Sequence, residues 1–238
     1  MVRVKFSKEQ YDAMKLFEEQ HHPDIWKWIV DKVGRSDGLS ILDVSEEACV
    51  FALALAENHP TNKLTIAARG DKPSFDLPTN VTFKKSTFNN TYDSLSQIGK
   101  FDLIIVNEIS HEIKDMAVFF NALKALLNPN APIVIFSRPK NPPLPVPEVC
   151  LLLWRKLAPT REEILAAANA AELNSTCFSA AVPVSVDRAV WENLLYSGCF
   201  PAVKNTPKCD ERCIRDYCSS IKGKLSFEEK ISIFLLKN

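Results

Sequence analysis

The clearest candidate for acid–base chemistry in the sequence is a histidine between two acidic residues. His111 lies three residues after Glu108 and directly before Glu112, and the group follows the apolar segment 101–106. An imidazole is a good general base near neutral pH, and either carboxylate would orient it. The alternative is a histidine that packs against or caps the following helix. The sequence leaves both interpretations open and favours the structural one.

A second group of reactive side chains consists of cysteines near the end of the chain. Cys209, Cys213 and Cys218 lie within ten residues, which raises the possibility of a metal site. Their spacing lacks the CxxC pairs of structural zinc sites, and no histidine lies nearby. The total of seven cysteines is odd, which is typical of reduced thiols rather than of a disulfide framework. We therefore expect no bound metal.

These side chains must be positioned by strands that alternate with helices. Apolar runs predict seven strands, at residues 40–44, 63–68, 81–85, 101–106, 131–136, 177–183 and 229–236. Helical spacing predicts two N-terminal helices within residues 8–33, ending at Gly34, and later helices at 46–58, 115–127, 161–172, 186–197 and 210–221. The proline-rich stretch 139–147 must cross the molecule in an extended conformation.

This alternation predicts one α/β domain with a doubly wound, mostly parallel seven-stranded sheet, whose last strand is antiparallel. We expect an N-terminal helical cap at residues 1–35. The α/β domain would then span residues 36–238, with a helical insertion at about 184–222.

Composition excludes several classes of protein. Hydrophobic residues make up 46% of the chain and charged residues 24%, the balance of a folded protein rather than a disordered one. Lys plus Arg and Asp plus Glu each total 29, so no net charge draws the chain to nucleic acid or to a membrane surface. The first residues show no hydrophobic signal segment. We therefore expect a cytoplasmic protein without nucleic-acid or membrane partners.

The order of these blocks resembles the class I S-adenosylmethionine-dependent methyltransferases from about residue 36 to the end. The matching segments are SILDV, KLTIAA, FDLIIVNEISHEIKD and ALKALLNPNAPIVIF. In that family the fourth strand ends in an acidic or amide residue, and a histidine often opens the next helix. Asn107, Glu108 and His111 fall on those places. The resemblance implies a Rossmann-like fold, a transferase activity and S-adenosylmethionine as cofactor.

The first cofactor-binding motif departs from the family pattern. The family has a glycine-rich turn after the first strand, because the backbone there approaches the cofactor closely. This chain reads LDVSEEAC from Leu42, so Asp43 is followed by Ser45, Glu47 and Cys49 where the family has glycines. The resemblance therefore predicts a turn that is too crowded and too acidic for the cofactor. The alternative, which the sequence favours for the two acids at positions 46 and 47, is that they open the next helix, where the positive end of the helix dipole stabilises them.

The adenosine-binding positions also depart from the family pattern. The family holds the ribose with an acid at the end of the second strand, where this chain has Ala68. The acid that orders the adenine corresponds to Thr87. Alanine offers no hydrogen-bond acceptor in its side chain. In addition, only about a dozen residues separate the second and third strands, which leaves almost no room for the usual helix.

The substrate side shows no comparable loss. Trp191 and Tyr196 lie in the helical insertion, where small-molecule methyltransferases of this family often build the wall of the substrate site. The alternative is that they belong to the core, since aromatic residues at helical spacing are more often packed there.

Three hypotheses follow. The first is a methyltransferase-like pseudoenzyme that has lost S-adenosylmethionine and serves as a binding or scaffold module for an unknown protein or small molecule. The second is a divergent S-adenosylmethionine-dependent methyltransferase that acts on a small molecule with help from His111. The third is a different ligand-binding or metal-dependent activity.

Overall fold

The computed structural model describes residues 7–18, 22–45, 50–68, 71–85, 99–108, 110–197 and 200–238. Its strands form one seven-stranded sheet in the order β3-β2-β1-β4-β5-β7-β6. The strands are β1 (Ser40–Ser45), β2 (Lys63–Ala68), β3 (Val81–Lys85), β4 (Leu103–Asn107), β5 (Ile133–Ser137), β6 (Asn174–Asp187) and β7 (Lys224–Lys237). Strand β7 runs antiparallel to β5 and β6, and the other pairs are parallel. The predicted fold class and the antiparallel last strand are confirmed.

The helices of the described residues cover both faces of this sheet. They are α1 (Lys8–Glu18), α2 (His22–Val33), α3 (Val50–Asn58), α4 (Met116–Lys124), α5 (Glu148–Leu157), α6 (Arg161–Ala170), α7 (Arg188–Tyr196), α8 (Pro201–Lys204) and α9 (Glu211–Ser219). A 3-10 turn occupies Ser110–Glu112. Among these described helices, none has the length and apolar character that a membrane span requires.

Strand β4 shows how the core is divided. Leu103 and Ile105 face the layer that contains α1, α2, α3, α5 and α7, whereas Ile104 and Val106 face the layer that contains α4 and α6. All four side chains are buried. A central parallel strand needs apolar residues at every position because helices cover it on both sides, which explains the uninterrupted apolar run in the sequence.

Local signals fix where several helices begin. The hydroxyl of Thr160 accepts a hydrogen bond from the Glu163 amide at 3.2 Å, and the Glu163 carboxylate accepts one from the Thr160 amide at 2.6 Å. These two hydrogen bonds form a capping box at the start of α6. At α4, the Asp115 carboxylate accepts from the Val118 amide at 3.0 Å.

The structure differs from the prediction in several places, including the short helix α8, which was not predicted. Helix α5 was not predicted, because it starts directly after the proline-rich stretch and buries only two fully packed side chains, Cys150 and Trp154. Strands β6 and β7 are 14 residues each, longer than predicted, because they pair with one another along their whole length. Strand β6 therefore continues to Asp187, and the helices of the insertion begin at Arg188 rather than at about residue 184.

The connection between β2 and β3 is short, as the sequence predicted. Its described part, residues 71–80, contains no helix. Phe75 of this connection packs against Tyr11 of α1, with ring centroids 5.2 Å apart. Helix α1 therefore packs against this connection.

Candidate functional site

The carboxyl ends of the central strands form one row. Ser45 pairs in register with Ala68 on one side and with Asn107 on the other, and Asn107 pairs with Phe136. In open α/β sheets, ligands bind beyond this edge of the sheet. A ligand bound at this edge would therefore contact the residues of this row, which include the predicted site residues Ser45, Ala68 and Asn107.

The residues at the end of β1 point their polar groups towards each other. The Asp43 carboxylate is buried and accepts a hydrogen bond from the Ser45 hydroxyl at 2.8 Å. Ser45 is also buried. The next positions of the predicted motif, Glu47 and Cys49, lie outside the described residues. The predicted crowding of this turn therefore stays a prediction.

The end of β2 carries a methyl group where the family has an acid. Ala68 is the last residue of the strand, pairs with Ser45 and is fully buried. Its side chain offers neither a charge nor a hydrogen-bond acceptor to a ribose. At this position the residue present does not fit the cofactor. Thr87 lies outside the described residues.

The end of β4 is bound to the end of β5. Glu108 follows the strand with a φ of 55°, a conformation that costs roughly 1–2 kcal/mol in a residue with a Cβ atom. Its Oε1 accepts from the Arg138 amide at 2.6 Å, and its Oε2 accepts from Arg138 Nη1 at 2.5 Å. Both carboxylate oxygens are thus engaged within the protein, while Asn107 remains in the row beside Ser45.

Arg138 is held by a second carboxylate, from β7. Arg138 Nε donates to Glu229 Oε1 at 2.7 Å, and Nη2 lies 2.5 Å from the same oxygen. The side chain of Arg138 is 11% exposed and that of Glu229 only 2%. Burial by itself lowers the pKa of Arg138, but the charges of Glu108 and Glu229 outweigh burial and raise that pKa above its ordinary value. The guanidinium therefore stays charged between two carboxylates.

Aromatic residues cover this buried ion cluster. The Arg138 guanidinium lies 5.3 Å from the ring centroid of Phe200. Trp191 packs against Phe200 at 5.1 Å and against Phe17 at 5.7 Å. Trp191 is fully buried, and its indole N–H donates to the Pro145 carbonyl at 2.8 Å. In this conformation Trp191 belongs to the core and faces no open site.

The two residues of the predicted substrate wall differ in their exposure to solvent. Tyr196 is 38% exposed, whereas Trp191 is buried. The Tyr196 hydroxyl donates to Glu192 Oε1 at 2.9 Å. Partial desolvation and the neighbouring Glu192 carboxylate raise the pKa of Tyr196. Whether either residue contacts a substrate stays a prediction.

His111 lies under α5. Its side chain is 2% exposed, and Nε2 lies 3.7 Å from Glu112 Oε1. The imidazole packs against Trp154 with ring centroids 5.0 Å apart, and the Trp154 indole donates to the Pro139 carbonyl at 3.0 Å. These contacts agree with the packing interpretation. The role of His111 as a general base stays a prediction. Both oxygens of Glu108, one of the two carboxylates expected to orient it, already accept hydrogen bonds from Arg138.

Sequence reasoning missed the ion cluster of Glu108, Arg138 and Glu229. One signal was present. Glu229 is the first residue of the alternating segment predicted as the last strand, and Arg138 directly follows β5. Charges next to buried strands need partners, because isolated ions in a protein interior are strongly destabilising. The partner could not be identified, since Arg138 and Glu229 are 91 residues apart.

The structure places Cys150 near Cys209 and Cys213, two of the cysteines that lie close together in the sequence. Burial raises the pKa of Cys209 to about 12 and that of Cys218 to about 11. Within the part of the chain that the structure describes, no group of three or more His, Cys, Asp or Glu residues is arranged to hold a metal ion.

Comparisons with known proteins place this geometry in context. No protein-family model and no curated protein sequence matches the chain. Solved structures do. The YcgJ protein from Bacillus subtilis aligns with a TM-score of 0.56 and 12% identity, over 90% of this chain and 97% of that one. A SAM-dependent methyltransferase from Aquifex aeolicus aligns with a TM-score of 0.55 and 13% identity, over 95% and 97%.

The chain has the fold of the class I methyltransferases. The resemblance predicted from the sequence is therefore confirmed at the level of the fold. A third solved structure, the plantazolicin methyltransferase BpumL in complex with SAH, aligns with a TM-score of 0.54 and 9% identity, over 97% of this chain and 91% of that one. This fold thus accommodates an adenosyl ligand in another protein. Whether this chain binds such a ligand depends on the residues at its strand ends.

Proposed function

We propose that this methyltransferase-like protein does not use S-adenosylmethionine and acts as a non-catalytic binding or scaffold module. The observation that carries the proposal is the buried Ala68 at the end of β2, in register with Ser45. A hydrogen bond to a charged group contributes about 1.5–3 kcal/mol. Loss of the ribose acceptor therefore weakens binding by one to two orders of magnitude, at about 1.4 kcal/mol for each factor of ten.

The ion cluster and its aromatic cover give further support. Arg138 binds Glu108 and Glu229, and Phe200 lies over the guanidinium. These contacts join β4, β5 and β7 to the helical insertion at the carboxyl edge of the sheet. A substrate that enters between these elements has to displace paired charges and buried rings. The contacts suit a closed structural unit better than a site for turnover.

A thermal-shift experiment with S-adenosylmethionine and S-adenosylhomocysteine tests the proposal. A ligand present at one hundred times its dissociation constant stabilises a protein by about 2.7 kcal/mol. A known methyltransferase serves as the positive control. At the lowest ligand concentration that clearly raises its melting temperature, we expect little or no shift for this chain with either ligand. A clear rise in the melting temperature of this chain contradicts the proposal.

The second candidate is a divergent S-adenosylmethionine-dependent methyltransferase that acts on a small molecule. The feature that favours it is the NEISHEIKD segment, which places Asn107 in the row of strand ends and His111 in the next turn. If binding is found, His111→Ala separates the possibilities. Unchanged affinity with lost turnover supports a base, and retained turnover removes His111 from the mechanism.

A further inference from the structure

Among the strands that the structure describes, β6 lies at an edge of the sheet and pairs only with β7. It is 14 residues long and contains no lysine or arginine. Natural proteins usually protect long edge strands with charges, because unpaired backbone groups can pair with another chain. The open side of β6 is therefore a potential interaction surface.

The hydrogen bonds of the inner strands determine which residues of β6 face outwards. The Ile104 amide donates to the Pro132 carbonyl at 3.1 Å. The backbone N–H and C=O groups of the even-numbered residues of β5 therefore point towards β4, and those of the odd-numbered residues point towards β7. In the same sense, a residue of β6 or β7 faces the strand towards which its backbone groups point. Ile135 pairs with Phe234, so even-numbered residues of β7 face β5 and odd-numbered ones face β6. Through the pairing of Ile233 with Phe178, the even-numbered residues of β6 face β7.

The odd-numbered residues of β6 therefore direct their backbone groups away from the sheet. Pro183 agrees with this assignment, since it has an odd number and its missing N–H removes no bond to β7. In the segment before Pro183, the outward backbone groups belong to Ser175, Cys177, Ser179 and Ala181. No hydrogen bond from these groups to another element is present among the described residues.

We propose that residues 174–182 of β6 pair with the same residues of a second copy of this chain, antiparallel, about a two-fold axis at Phe178. In this register Ser175 faces Ala181 of the second copy and Cys177 faces Ser179. All four direct their N–H and C=O groups towards the partner, as a hydrogen-bonded pair requires. Pro183 lies outside the paired segment. The two sheets become one continuous sheet.

The side chains of residues 174–182 favour pairing with a second copy of the same segment. Phe178 is 40% exposed and packs against Trp28 at 5.1 Å. At the two-fold axis Phe178 meets its own copy in a non-hydrogen-bonded pair, where the Cα atoms are only about 4.5 Å apart and aromatic pairs stabilise a sheet. Residues 174–182 carry no charge, so two copies do not repel each other.

Sedimentation velocity over a range of concentrations tests the proposal. We expect the wild-type chain to reach twice its mass of 26.7 kDa. Phe178→Lys should halve that mass, because it places two lysines opposite each other. Ser185→Lys is the matched control, since Ser185 is exposed and lies on β6 beyond Pro183, and it should leave the dimer intact. A wild-type chain that stays monomeric at every attainable concentration contradicts the proposal.

Because Phe178 contacts Trp28, Phe178→Lys could also disturb folding. A second variant separates that effect from loss of the dimer. Ser179→Lys changes an exposed residue of the same segment and should also give a monomer. Amide exchange measured by NMR provides an independent check. The amides of Ser175, Cys177, Ser179 and Ala181 should exchange more slowly in the wild type than in Ser179→Lys. Dimers that persist in both lysine variants, or equal exchange rates at these amides, overturn the assigned surface.

Discussion

The ion cluster at the carboxyl edge of the sheet leads to a sharp stability prediction. Replacement of Arg138 by methionine keeps much of the side-chain volume but removes the cation that Glu108 and Glu229 share. The three side chains are only 11%, 17% and 2% exposed, so solvent screens them weakly. Removal of one partner from a buried ion pair costs about 3–5 kcal/mol, because the remaining charge is left uncompensated. We expect Arg138→Met to lower the free energy of unfolding by that amount.

Urea unfolding followed by circular dichroism measures this effect. Arg212→Met is the matched control, because Arg212 is 86% exposed and pairs with Asp216 on the surface. Exposed pairs contribute about 0–1 kcal/mol, so the control should unfold almost like the wild type. Replacing both glutamates by glutamine in the Arg138→Met background should restore much of the loss. If Arg138→Met is no less stable than Arg212→Met, the ion cluster does not stabilise the fold, which contradicts this prediction.

Three further predictions concern other parts of the fold. Thr160→Ala removes the capping box of α6 and should lower the free energy of unfolding by about 0.5–2 kcal/mol in urea titrations, whereas Thr160→Ser should retain most of it. Trp191→Phe leaves the half-buried Pro145 carbonyl without its indole donor and should cost about 1–3 kcal/mol in the same assay. Burial raises the pKa of Cys209 to about 12, so the unfolded thiol, with a pKa of about 8.5, loses its proton first as the pH rises. Stability should therefore fall as the pH increases above about 8.5, and Cys209→Ser should reduce that slope; an unchanged slope contradicts the assignment.

Local patterns were sufficient to predict the central sheet. Strands β2 and β3 occupy the predicted residues, and Thr160 caps α6 as its sequence indicates. These features depend on side chains that are close in sequence, so their physical causes are visible in a single stretch of residues. The antiparallel last strand followed from the order of the strands and helices.

Features that depend on distant partners could not be predicted. The apolar run of β5 gives no sign that Arg138 will bind a carboxylate 91 residues away on β7. The length of β6 is set by its pairing with β7, which its own sequence does not reveal. Trp191 was open to two interpretations, since helical spacing alone does not show that its indole donates to the proline-rich stretch.

We propose that Ala68, at the end of β2, leaves the adenosyl group without a side-chain acceptor. Isothermal titration calorimetry of the purified chain with S-adenosylmethionine tests this claim most directly. We expect no saturable heat at ligand concentrations that saturate an active methyltransferase measured alongside. A saturable isotherm with one site per chain contradicts it.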